Sequence, residues 1–185
     1  MKSTLCSNTP LVASTFCVDD FTLWPVWSEI GLARLSFQCP SEEPAIRDRE
    51  IQWLKPNELS SSQYELLRQS EALLRGQPVG FEDVELDLQW CSPFQLRVLA
   101  CCREIGWGAT SSYRELACAV GAPRAARAVG NVMRTNRFPL VVPCHRVVRS
   151  DGKLGGFTAP GGISFKRYLL ELESPIAQKL VPEAC

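Results

Sequence analysis

The sequence predicts an α+β fold in two modules: a small module of strands and one helix over residues 1–90, then a mostly helical one over 91–173, with a short tail at 174–185. Three observations carry this reading. Apolar and polar residues alternate with period two in the first half, at 33–38 and again at 84–88, as half-buried extended chain requires. Helix-start signatures follow one another in the second half, Ser92-Pro93 and then Ser112-x-x-Glu115. The charge divides at the same place, with −7 over residues 1–90, +9 over 91–170 and −2 over the last fifteen, for a net charge of zero. Such a division fits two modules with the second facing a polyanion, or two halves that attract each other.

In chain order, Trp24–Trp27 carries aromatics suited to a strand, and Pro25 restricts it to an edge or a bend. Ala33, Leu35 and Phe37 alternate with Arg34, Ser36 and Gln38 and predict a strand. Ser60–Arg75 predicts a helix whose apolar side is Leu66, Leu67, Leu73 and Leu74, stopped by Gly76. Phe81–Leu88 reads as a strand or an extended connector, and the module boundary falls near Trp90. Beyond it, Phe94, Val98, Cys101, Cys102 and Ile105 recur at helical spacing until Gly106 and Gly108. A short helix follows from Tyr113 to Val120, ended by Gly121, and Pro123 opens another that runs to about Arg134. Two short helices joined by a tight glycine-containing turn form a helix-turn-helix pattern.

The second of these helices has a distinctive face. At 100° per residue, Arg124, Arg127, Asn131 and Arg134 fall within a stripe about 80° wide, with small Ala126 and Gly130 on its flank. Ala125, Ala128, Val129, Val132 and Met133 fall opposite. A cationic stripe with small neighbours suits a helix pressed against nucleic acid. An ordinary amphipathic helix with a solvated face has the same pattern.

Leu140-Val141-Val142 reads as a short buried strand or extended segment stopped by Pro143, which places Cys144 at the end of a rigid segment. Nine cysteines are present but one histidine, and it is the next residue, His145. A thiol is mostly protonated at neutral pH, so a nucleophilic cysteine needs a base or a cationic field. His145 offers the first, acting through a water because adjacent side chains diverge; Arg146 and Arg149 offer the second. Asp151, Glu171 and Glu173 are candidates to orient the imidazole. A buried structural cysteine is the alternative for these residues.

The odd number of cysteines, without a C-x-x-C pair, predicts reduced thiols and no structural metal, and Cys101, Cys102 and Cys118 are expected to be buried. No apolar run reaches the roughly 18 residues of a membrane span, and residues 1–16 read poorly as a signal peptide, so the expected location is the cytoplasm, or the nucleus in a eukaryote.

Together, residues 92–173 resemble the O6-alkylguanine-DNA alkyltransferase family, the methylated-DNA–protein-cysteine methyltransferases. The resemblance lies in Pro93-Phe94-Gln95, Ser112-Tyr113-Arg114-Glu115-Leu116-Ala117, Ala125-Ala126-Arg127-Ala128-Val129-Gly130, Asn136, Pro143-Cys144-His145-Arg146-Val147 and the glycine pairs Gly155-Gly156 and Gly161-Gly162. It implies a ribonuclease H-like α/β first domain and a winged helix-turn-helix second domain. It also implies repair of O6-alkylguanine, with O4-alkylthymine a further candidate, by stoichiometric transfer of the alkyl group to a cysteine that is not regenerated. The implied partner is double-stranded DNA bound through its minor groove by a monomer, with no cofactor, metal or membrane. Cys144 matches the acceptor, His145 the base, Glu173 its orienting carboxylate, Tyr113 the proton donor at the flipping site and Asn136 the hinge. Arg127 matches the finger that replaces the extruded base. Arg124, Asn131, Arg134, Ser112, Ala126 and Gly130 complete the implied DNA-binding set, and Val147, Phe157, Thr158, Met133 and Pro139 the substrate pocket.

Three departures stand out. Phe157 replaces the tyrosine of some members, Thr158-Ala159-Pro160 makes the next loop one residue longer than in some, and the first half holds no histidine for the zinc site that some carry. Alkyltransferase-like proteins that bind lesions without a cysteine, a transcriptional regulator and a cysteine hydrolase are the rival readings; Cys144, the small first module and the arginine stripe, respectively, speak against them.

Overall fold

The computed structural model describes residues 11–38 and 51–174. Except for Ser174, the tail at 174–185 lies outside the described residues, as do Cys6, Cys39 and Cys185. The chain is α+β. Its first half forms a five-stranded sheet from β1 (Leu11–Ala13), β2 (Phe16–Val18), β3 (Phe21–Trp27), β4 (Leu32–Gln38) and β5 (Ile51–Trp53). Strands β1 and β2 run along one edge of β3, β4 along the other, and β5 adds in parallel to β1.

Of the two places the sequence allowed, an edge or a bend, Pro25 does not take the edge: it lies in the most fully paired strand, next to a register shift between Val26 and Trp27. The position is tolerated because the Pro25 carbonyl accepts from the Ser14 amide at 3.3 Å. Its N–H-less nitrogen faces the same side, where β1 gives way to β2, so no ladder bond is lost. On the far side the Leu35 amide donates to the Arg137 carbonyl at 2.8 Å, which ties β4 to the second half.

Helix α1 (Ser61–Leu74) is capped by Ser60 with Gln63 in a reciprocal box, and it buries Leu66, Leu67, Leu73 and Leu74 as the periodicity requires. The same device recurs at Ser92 with Gln95, opening α2 (Pro93–Arg103), and at Ser112 with Glu115, opening α3 (Tyr113–Ala119). Phe81–Leu88 is a connector rather than a strand: a single bridge, Leu32 to Leu86, holds it to the sheet, and the Arg103 guanidinium donates to the carbonyls of Phe81, Glu82 and Val84.

Two elements depart from the pattern reading near the site. Helix α4 covers Ala126–Arg134, so it starts three residues after Pro123; a turn closed by the Ala125 amide on the Ala122 carbonyl, at 2.8 Å, occupies the intervening residues. Arg124 thus belongs to that turn and not to the helical stripe. Ala128, expected on the core side, is exposed. Residues 140–142 form a buried turn instead of a strand: the Val142 amide donates to Phe138, and Leu140 takes a φ of 72°. A left-handed leucine costs roughly 1–2 kcal/mol, so the surrounding packing imposes it.

The last elements are β6 (Ser111–Ser112) paired in parallel with β7 (Val147–Val148), and α5 (Gly162–Leu172). Phe165 of α5 packs on Phe21 and Phe37 of the sheet with ring centroids 5.2 and 4.7 Å apart, and the Tyr168 hydroxyl reaches the Leu74 carbonyl. One hydrophobic core, from Val18 to Leu169, runs unbroken past residue 90. The site sits on the α5 side of this core.

Candidate active site

Cys144 opens a single 3₁₀ turn, Cys144–Arg146, directly after the buried turn at 140–142. Its amide donates to the Val142 carbonyl at 2.7 Å, and the side chain is 7% exposed. The Asn136 amide group donates to both the Val142 carbonyl (3.0 Å) and the Cys144 sulfur (3.1 Å), while its oxygen accepts from the Phe138 amide. Asn136 thus ties the exit of α4 to the cysteine turn and places an N–H on the sulfur.

The imidazole of His145 is fully buried. Its Nε2 lies 2.8 Å from Glu173 Oε1, on the C-cap of α5, and its Nδ1 has no hydrogen-bond partner. Of the three candidate carboxylates only Glu173 reaches it; Asp151 pairs with Arg149 and Lys153, and Glu171 is exposed. Arg146 does not add to a field on the sulfur. Its guanidinium grips Glu173 with two bonds of 2.8 and 2.9 Å and a third to the Ile105 carbonyl, so its charge is neutralised. Arg149 is exposed and paired with Asp151.

The cation that does act on the sulfur was absent from the sequence-based expectations. Lys166 is fully buried, donates to the Val147 carbonyl at 2.5 Å and sits 5.9 Å from the Tyr113 ring centroid. Burial pulls its pKa down to about 8 against the pull of Cys144 and Cys102. Its signal in the sequence is a lysine on the apolar stripe of α5, between Phe165 and Leu169.

These surroundings set the protonation states. Burial pushes the Cys144 thiol up, opposed by the Asn136 N–H and by Lys166. Burial pushes His145 down, opposed by Glu173, so the imidazole is a neutral acceptor. Burial alone would raise Glu173, but the hydrogen bonds from His145 and Arg146 outweigh it and hold the carboxyl at about 2. Tyr113 is pushed up, chiefly by burial, and stays a phenol.

Cys144 opens on a cavity of about 1220 Å³ that Tyr113, Gly130, Met133, Phe157 and Thr158 also line. Gly155 is required there twice over: its φ is 73°, and a Cβ would stand 2.9 Å from the Tyr113 hydroxyl. The Thr158 hydroxyl donates to the Arg134 carbonyl, fastening the loop to α4. Two expected pocket residues do not line the cavity: Pro139 is buried, and Val147 has its amide bound to Cys144 and its carbonyl to Lys166. On the outer surface, Arg127, Asn131 and Arg134 are exposed along α4, with Arg124 in the turn before it. Ala126 and Gly130 are partly buried, the latter against the Tyr113 ring. Ser112 is 8% exposed and its hydroxyl caps α3, so it is not a surface contact. Cys102 is buried, Cys101 partly so, and Cys118, against expectation, is exposed; the six cysteines among the described residues are free thiols.

Residues 93–175 match the model of the 6-O-methylguanine DNA methyltransferase DNA-binding domain. A methylated-DNA–protein-cysteine methyltransferase of Methanosarcina acetivorans is 35% identical over 145 residues, 78% of this chain and 86% of the relative. One from Mycobacterium tuberculosis is 52% identical over 91 residues, and there the chain spans about half the relative's length, 53%. Among solved structures, the M. tuberculosis O6-methylguanine methyltransferase superposes with a TM-score of 0.71 at 32% identity, covering 94% of this chain and 96% of that one. The same organism's OGT in complex with DNA gives 0.71 at 34% identity, covering 91% and 98%. With one relative aligned over 86% of its length at 35% identity, this chain belongs to the methylated-DNA–protein-cysteine methyltransferase family.

Proposed function

We propose that this protein repairs O6-alkylguanine in duplex DNA by moving the alkyl group onto Cys144, once per molecule. The observation that carries the proposal is the Cys144 sulfur, held by an Asn136 N–H at 3.1 Å and open to the cavity, beside the buried His145–Glu173 pair. Residues 91–173 act as a winged helix-turn-helix domain that binds DNA and accepts the alkyl group. Residues 1–90 form a ribonuclease H-like support that packs behind α5.

A lone Cys144 and its neighbours lack reach into a stacked duplex, so the base must leave the helix, at a cost of a few kcal/mol. Helix α4 enters the minor groove and Arg127 fills the gap left by the base; the exposed Arg127–Asn131–Arg134 face supports this. The guanine enters between Tyr113, Met133 and the 155–158 loop. One water on the unpartnered Nδ1 of His145 relays the thiol proton to the imidazole. The Asn136 N–H and the Lys166 ammonium stabilise the thiolate as it forms. Sulfur then attacks the alkyl carbon in line with the C–O6 bond: the S–C bond forms, the C–O bond breaks, and guanine leaves with the electron pair. Tyr113, kept protonated by burial, donates to guanine N3. The imidazolium returns its proton to the tyrosinate through solvent, so in net terms the thiol proton ends on guanine. The thioether has no route back, and the chemistry calls for no cofactor.

Equimolar protein mixed with duplex DNA carrying one O6-methylguanine is expected to gain one methylene on the Cys144 peptide, read by intact-protein mass spectrometry and peptide mapping. Saturation above one per protein, or a gain elsewhere, contradicts the proposal. Arg127→Ala is expected to slow reaction with duplex DNA roughly 10–100-fold more than reaction with free O6-benzylguanine, a differential of about 1.4–2.7 kcal/mol in barrier. Equal losses on the two substrates remove the finger role.

A further inference from the structure

The cavity at Cys144 is larger than one base requires. At about 1220 Å³ it exceeds the ~300–1,000 Å³ usual for a small-ligand site. One of its walls is a stripe of α5 and the residues just after it, Ile163, Arg167, Leu170, Glu171 and Ser174, whose spacing puts them on one side of the helix. The opposite stripe, Phe165, Lys166 and Leu169, is buried in the core. The facing wall is the 149–158 segment, with Arg149 and Lys153. Arg149, Lys153 and Arg167 therefore line this end of the cavity with the carboxylate of Glu171, while Arg134 lines it from α4. The first three are not alike. Arg149 and Lys153 share Asp151, at 3.0 and 3.7 Å. Arg167 is exposed and, among the described residues, has no ion-pair partner.

We propose that this rim is a second phosphate-binding surface, in which Arg167, flanked by Arg149 and Lys153, holds the backbone phosphate next to the flipped nucleotide. The inference rests on the base-flipping reading above. A nucleotide rotated out of the helix carries its own phosphates to the cavity mouth. Of the α4 stripe only Arg134 also lines the cavity, so a phosphate displaced to the α5 side of the mouth meets its counter-charge on that side, at Arg167, Arg149 and Lys153. The positions of the cations favour phosphate over the O6 substituent: Arg149 and Lys153 are 57% and 74% exposed and Arg167 is exposed, at the mouth, whereas the sulfur that meets the substituent is buried. A guanidinium with no ion-pair partner among the described residues also matches a phosphate with two parallel donors.

The test measures equilibrium binding to a duplex with one O6-methylguanine, in full-length protein carrying Cys144→Ala so that no transfer intervenes. The phosphate on each side of the lesion is replaced in turn by a neutral methylphosphonate, and each duplex is bound with and without Arg167→Gln. Either change alone is expected to weaken binding about tenfold and to reduce the slope of log K against log salt by about 0.9, the value for one phosphate contact. Combined at the correct phosphate, they are expected to cost little more than either alone, and Arg167→Lys is expected to restore most of the slope. Losses that multiply at both phosphates, or an unchanged slope with Arg167→Gln, overturn the proposal. If the parent protein itself shows no lesion preference, the base-flipping reading has failed instead.

Discussion

Cys144→Ala is expected to remove alkyl transfer altogether while lesion binding persists. No other thiol among the described residues is placed to substitute. Of the described cysteines, only Cys144 opens on the cavity with an N–H on its sulfur; Cys102 is buried and Cys118 faces solvent. The substitution removes one buried atom, and the Asn136 amide group keeps its bond to the Val142 carbonyl at 3.0 Å, so the turn retains its tie to α4. DNA affinity is then expected to stay within about threefold, below 1 kcal/mol. The pair of measurements is intact mass after incubation and equilibrium binding to the same O6-methylguanine duplex. A methylated variant would remove Cys144 as acceptor. A variant that neither reacts nor binds would show that the turn had collapsed, and the isosteric Cys144→Ser then separates chemistry from shape.

Glu173→Gln is expected to damage stability and rate together. The carboxylate is 1% exposed and accepts from His145, twice from Arg146 and more weakly from the Gly108 amide. Neutralising it leaves the Arg146 guanidinium, 6% exposed, without its counter-charge. Breaking a buried pair this way costs about 3–5 kcal/mol. The depressed pKa gives a similar figure, about 3 kcal/mol for a carboxyl held near 2 instead of 4.5. The sign follows from that depression: the stabilisation is present above about 4.5 and is lost as pH falls through about 2. Urea unfolding of the two proteins should therefore differ by several kcal/mol at pH 7 and converge as pH drops from about 4.5 towards 2. A gap that is already below 1 kcal/mol at pH 7, or that does not narrow in acid, contradicts the role given to the carboxylate. For the reaction, His145 loses the partner that raises its basicity, and transfer is expected to slow by roughly 10²–10⁴, the range of general-base catalysis.

How far the sequence could be read depended on whether a feature is local. The starts of α2 and α3 were legible because Ser92-Pro93 and Ser112-x-x-Glu115 are signals complete within four residues, and α1 was legible from its apolar periodicity and the Gly76 stop. Strand β4 was legible from its alternation. Helix α4 was misplaced at its start because Pro123 serves equally well in the turn that precedes a helix, and only the Ala125–Ala122 bond decides between them. Pro25 was read as marking an edge or a bend because composition cannot show that its missing donor faces the junction of β1 and β2. Leu140–Val142 looked like a strand because three buried apolar residues in a row fit a strand or a buried turn alike.

At the site, the sequence by itself determined the family, the cysteine–histidine order, the arginine-bearing face of α4 and the candidates for the orienting carboxylate. Those rest on residue identity and short spacing. Spacing left Asp151, Glu171 and Glu173 open, and the family resemblance pointed to Glu173, which the structure places against His145; only the tertiary structure decided that Arg146 is spent on that carboxylate and that Lys166 supplies the charge beside the sulfur. The physical reason is that each of these depends on desolvation and on partners far apart in the chain, 27 residues for Glu173 and Arg146 and 19 for Lys166 and the Val147 carbonyl that holds it. Burial can make a charge silent or potent, and it is fixed only when α5 closes onto the turn that holds Cys144.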